Sequence, residues 1–142
     1  MSRGTPHQAL RVVAGLEPDA YGATTGNYGT AVDIRGYDEL LVVFNTGLAS
    51  TSAELNVTIQ SGTVSTTNSM TTTLGTFAEV TTANDHTVFY GRVNLRTYNE
   101  STRYIGVRAI GDGTNKVRGS VAFILSGAGR LPVGSQTLVF DV

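Results

Sequence analysis

Apolar side chains fall on every second position in several stretches of this chain, among them Leu55, Val57 and Ile59, then Phe89, Val93 and Leu95. Ile105, Val107 and Ala109 continue the pattern, as do Val121, Phe123 and Leu125. Period two is the spacing of a strand with one buried face and one wet face. Nowhere do apolar residues recur at helical spacing over three turns, so the chain is predicted to be all-β. Strands are expected over residues 9–14, 30–34, 40–44, 53–60, 76–81, 87–95, 102–110, 117–126 and 137–142. In 53–60 the alternation turns Leu55, Val57 and Ile59 inward and Asn56, Thr58 and Gln60 outward. The run Leu40-Leu41-Val42-Val43-Phe44 is apolar on both faces, which predicts a central strand covered on both sides.

The connections differ in character. Residues 15–29 carry Pro18, Tyr21, Tyr28 and several glycines and read as a long loop, functional or anchored by a partner, with the tyrosines either presented outward or folded back on the sheet. The Thr/Ser-rich tract 61–75 reads as a protruding hairpin, because threonine favours extended backbone. Gly111-Asp112-Gly113-Thr114-Asn115 is a strong turn signal, so the strands on either side of it are expected to pair antiparallel. After Gly127-Ala128-Gly129 and Pro132, the last piece places Leu138, Phe140 and Val142 on one face. That stripe must be covered, either as a final strand of the same sheet or as an arm that adds to a neighbour.

A length of 142 residues suits one domain, a single β-sandwich over 1–142 with an N-terminal arm at 1–8 and the C-terminal segment at 127–142. Ten basic against eleven acidic residues give a net charge of −1. No field therefore exists to hold a nucleic-acid backbone or an anionic membrane, and neither partner is expected. Cysteine is absent, which excludes disulfides and thiolate metal sites and suits synthesis in a reducing cytoplasm. Arg3, Pro6 and His7 interrupt the first ten residues where an export signal would need an apolar core, and no run reaches membrane-spanning length.

Candidate chemistry is sparse. His7 and His86 have no second ligand at metal spacing, and Asp19, Asp33, Asp38 and Glu39 match no cation-binding loop, so they read as a solvated acidic rim. There is no Trp to form a sugar platform, and Tyr37, Tyr90 and Tyr104 fall in or beside strands, where half-buried packing is the default. No serine sits in a nucleophile-elbow pattern. The expectation is a protein without catalytic residues, cofactor or metal. Arg92, Arg103, Arg108 and Arg118 alternate with core positions of the last strands and read as an outward row. Such a row either docks an acidic partner surface or is a solvated face with cross-strand pairs to Asp and Glu.

The order of features then becomes informative. Ala31-Val32-Asp33-Ile34-Arg35-Gly36-Tyr37-Asp38-Glu39-Leu40 leads into the apolar strand ending at Phe44, followed by Leu55-Asn56-Val57-Thr58-Ile59-Gln60. Later come Arg103-Tyr104-Ile105-Gly106-Val107-Arg108 and Val121-Ala122-Phe123-Ile124-Leu125. Across residues 31–125 this resembles the capsid decoration, or cement, proteins of tailed bacteriophages; a turn of the Ser-Asp type seen in such proteins is replaced here by Ser61-Gly62. The resemblance implies an antiparallel β-sandwich of jelly-roll type, a homo-oligomer (dimer or trimer) on the exterior of an icosahedral capsid, and the major capsid protein as partner. It carries over no catalytic or ligand residue. Candidate contact residues are Tyr21, Tyr28, Arg92, Arg103, Arg108, Arg118, Leu138 and Phe140. The alternative is a lectin-like or receptor-binding sandwich of a phage tail or fibre, with Tyr21, Tyr28 and the Thr/Ser tract as its contact surface.

Overall fold

The period-two alternation carries through to three dimensions. The computed structural model describes residues 10–95 and 103–127, and the N-terminal arm and residues 128–142, with Leu138 and Phe140, lie outside them. Among the described residues nine strands follow in chain order: β1 (Leu10–Tyr21), β2 (Asn27–Tyr28), β3 (Val32–Asp33), β4 (Glu39–Ala49), β5 (Leu55–Gly62), β6 (Thr72–Thr76), β7 (Val88–Asn94), β8 (Tyr104–Gly111) and β9 (Val117–Ser126). One sheet runs β1-β9-β4-β7, and the other runs β2-β8-β5-β6 with β3 also on β8. Every pairing is antiparallel. The short pieces β2 and β3 share one edge of β8, so eight strand positions form two facing sheets, and all but one connection crosses between them. This is the jelly-roll arrangement of two interleaved Greek keys.

Both inner faces meet in one apolar cluster. Leu40, Val42 and Phe44 of β4 and Val121, Phe123 and Leu125 of β9 face Leu55, Val57 and Ile59 of β5 and Ile105, Val107 and Ala109 of β8. Phe44, Phe77 and Phe89 close the β7 side, with ring centroids 5.6–6.2 Å apart. That spacing suits tilted and offset aromatic packing.

Several expectations need correction. Residues 15–21 are not loop. β1 continues to Tyr21 along β9, with register shifts between Ala14 and Leu16 and between Leu16 and Asp19. Buried Leu16 and Tyr21 anchor it, and Pro18 is tolerated because it falls within the second irregularity, where the ladder needs no donor. The strands flanking 111–116 do not pair: β8 and β9 belong to opposite sheets. The turn itself is real, since Asp112 accepts from the N–H groups of Thr114 and Asn115 and Gly113 has φ 91°. Such a turn reverses the chain equally well within a sheet or from one sheet to the other. β9 crosses over because β1 and β4 each offer it a long ladder.

The Thr/Ser tract does pair, β6 against β5, but it does not protrude. Its loop folds back over the outer side of β8, burying Thr67 and Met70 and covering Gln60, which the alternation had placed in water. Thr67 donates to the carbonyl of Gly29 at 2.6 Å, which satisfies a hydroxyl that burial would otherwise leave unpaired. The strand expected at 76–81 is displaced to β6; beyond it Phe77 and Val80 keep main-chain bonds to β5, and the Glu79 carboxylate accepts from the Asn56 side chain. β4 is central, between β9 and β7, as its apolar run predicts. Its second face is not covered by any layer among the described residues: Leu41 and Val43 are only half-buried.

Candidate docking surface

The uncovered side of the four-stranded sheet is where the chain departs from the pattern of a solvated β-sandwich. Because antiparallel partners share a face, the register defines rows across the sheet. One row is Val12, Ile124, Leu41 and Arg92; the next is Ala14, Ala122, Val43 and Tyr90. A third holds Ser120, Asn45 and Val88. Val12 is 56% exposed, Val88 62% and Tyr90 74%. With strands about 4.8 Å apart and alternate rows about 6.8 Å apart, the face spans roughly 400 Å². Arg92, Asn45 and Ser120 interrupt it, and its apolar remainder is of the size, a few hundred Å², that is often functional on a monomer. At its rim Arg92 meets Glu39 at 3.2 Å, an exposed pair across β7 and β4 that leaves the middle of the face uncharged.

The four arginines do not form one row. β8 and β9 lie on opposite sheets, so Arg92 and Arg118 decorate the four-stranded sheet while Arg103 and Arg108 belong to the other. Arg103 precedes β8 and bonds Asp33 through Nε and Nη2, at 3.0 and 2.8 Å. Arg108 sits with its guanidinium 5.8 Å from the ring of Tyr28, in cation–π range. Tyr28 is partly exposed at the edge of the second sheet, whereas Tyr21 lies in the core with its hydroxyl donating to the Glu17 carbonyl. Burial, then the carboxylates of Asp19 and Glu17, push the Tyr21 hydroxyl above its ordinary pKa. Tyr21 therefore offers no outward contact.

Tyr37 is buried and Tyr104 half-buried, as the sequence suggests, but Tyr90 stands outward beside Val88. These two β7 residues were not among the candidates from sequence. The signal was present in the both-face apolar run of β4, which demands a cover for Leu41 and Val43 and hence points to whatever surrounds them.

Asp33 pairs with two arginines, Arg103 at 2.8 Å and Arg35 at 3.2 Å. Burial raises its pKa, but hydrogen bonds from Arg103, from the Arg35 N–H and from the Arg35 side chain outweigh that and hold the carboxyl below its usual value of 3.8. A depressed carboxylate pKa contributes stability that is present above the unfolded-state value and is lost as pH falls through the folded-state value. Asp33→Asn is therefore expected to lower the urea midpoint slightly at neutral pH, with the gap to the parent chain closing below the usual carboxylate range. A gap that widens in acid would contradict this assignment.

No known family matches this chain, and no curated protein does. Solved structures do. The infectious bursal disease virus VP2 subviral particle matches 84% of this chain with a TM-score of 0.53 and 14% identity. The T13 particle of the same virus matches 83% at 14% identity and a TM-score of 0.48. The chain shares its jelly-roll fold with the matched part of that VP2 protein. It spans about a third of the length of those proteins, 33% and 31% respectively. Among the described residues, no helix is long and apolar enough to cross a membrane, and no group of His, Cys, Asp and Glu is arranged to hold a metal ion.

Proposed function

We propose that this chain is a structural, non-enzymatic virion protein that binds the outer surface of an icosahedral phage capsid and stabilises it by bridging major capsid protein subunits. The observation that carries the reading is a jelly roll whose four-stranded sheet keeps an apolar outer face open to water. The shared capsid fold adds to it, as does the resemblance of residues 31–125 to decoration proteins. A protein of this kind gains its hold from many modest contacts repeated by symmetry, so a patch too small for a tight pairwise complex can suffice. Tyr28, Arg108 and Arg118 remain candidate contacts at the ends and on the second sheet, and assembly would take place in the host cytoplasm.

The lectin-like alternative is favoured by one feature, a groove of about 450 Å³ lined by Pro18, Asp19, Asn45, Arg118 and Ser120 among others. No aromatic ring lines it to stack on a sugar, so it ranks second. The deciding experiment is co-sedimentation of the purified protein with empty shells of a phage major capsid protein, alongside a glycan array. Saturable binding to shells, with a raised shell melting temperature and weakened by Tyr90→Asp, is expected. Glycan binding without shell binding would transfer the assignment to the alternative.

A further inference from the structure

The four-stranded sheet ends at β7 and the facing sheet ends at β6; among the described residues β7 pairs only with β4, and β6 only with β5. Between these two edges lies an apolar cleft of about 170 Å³, lined by Val42, Ile59, Leu74, Phe77 and Val93. A strand laid along the outer edge of β7 would therefore have apolar surroundings on both sides. One set of alternate side chains would enter the cleft, and the other would stand beside Val88, Tyr90 and Arg92 on the open face.

We propose that residues 137–142 of a second copy of this chain add to β7 as that strand. Thr137-Leu138-Val139-Phe140-Asp141-Val142 is matched to such a place, because Leu138, Phe140 and Val142 form one apolar set for the cleft. The other set is Thr137, Val139 and Asp141, which brings an apolar residue to Tyr90 and a carboxylate to the face that carries Arg92. Fifteen residues follow Gly127, and the nine from 128 to 136 can span up to about 30 Å when extended, enough to leave one molecule and reach another. Val88 and Tyr90 are exposed along this edge, which leaves it open to the segment of another copy. Main-chain bonds to the sheet edge would hold the segment, and the cleft would select its alternate side chains. This inference rests on the edge and the cleft and does not depend on the capsid assignment.

The absence of native cysteine allows a direct test. Differently tagged full-length chains are mixed, one carrying Tyr90→Cys and the other Val139→Cys, and treated with a short bismaleimide. A cross-link between the two tags is expected, falling on dilution and at least tenfold weaker when the second chain also carries Phe140→Asp. A chain carrying both cysteines that cross-links only within itself, at a yield unchanged by dilution, would overturn the second-copy arrangement. No cross-link in either format would overturn the docking itself. Phe140→Asp chains that still bind shells would separate this failure from failure of the capsid reading.

Discussion

Phe123→Ala is expected to cost about 3–5 kcal/mol of folding free energy, comparable with the whole stability of many domains of this size. Phe123 is fully buried in the middle of β9, with Val13 of β1 on one side and Val42 of β4 on the other. Its ring also rests on Gly15, where an added Cβ would come within 2.7 Å of Cε2, so the backbone of β1 has already closed onto the ring. Truncation removes the transfer free energy of the ring and leaves a void that the ladders on both sides keep from collapsing. Urea unfolding checks this, with Val12→Ala as the comparison: Val12 lies one row away but on the outer face, and its truncation is expected to change stability by no more than about 0.5 kcal/mol. Equal costs for the two variants would mean that the inner and outer faces are reversed.

The faces were legible in the sequence because they depend only on local alternation. Leu55, Val57 and Ile59, like Val121, Phe123 and Leu125, turned inward as their period demanded. Pairing partners were not legible in the same way. The Asp112–Asn115 turn has the same chemistry whether the chain returns within a sheet or passes to the facing one, and only the competing ladders from β1 and β4 decide that β9 leaves β8. For that reason the arginine row dissolved: alternation was right for each strand, but it carried no information on which sheet held which strand. The extension of β1 past Pro18 was hidden by the residues that usually mark a loop, whereas the burial of Leu16 and Tyr21 is a property of the assembled sandwich. The docking face was half legible. A run apolar on both sides announced that β4 needs a cover, yet Tyr90 and Val88 became part of that face only through their register with Val43 and Asn45.

Gly29→Ala is expected to be the most damaging single-atom addition to the described chain. Gly29 lies between the sheets' two edges: its N–H donates to the Val107 carbonyl of β8 at 2.9 Å, and its own carbonyl accepts from Thr67. A Cβ placed there would fall 1.6 Å from the carbonyl oxygen of Gly15 in β1, an obstruction of backbone rather than of a flexible side chain. Relief requires either β1 to pull away at its irregular stretch or the 22–31 segment to leave β8, and each route breaks hydrogen bonds whose groups are then stranded. Overpacking commonly costs 1–3 kcal/mol, and with both walls made of main chain the expected loss is about 3 kcal/mol or more. Gly75→Ala supplies the control, because nothing lies within 4 Å of a Cβ there. That exchange should be neutral or stabilise by up to about 1 kcal/mol through the unfolded state. Thermal and urea midpoints of the two variants decide the matter: a large drop for Gly29→Ala beside an unchanged Gly75→Ala is expected. Comparable midpoints would show that β1 does not approach Gly29 in solution, and that the two sheets are held together at this edge by something other than the close crossing of their backbones.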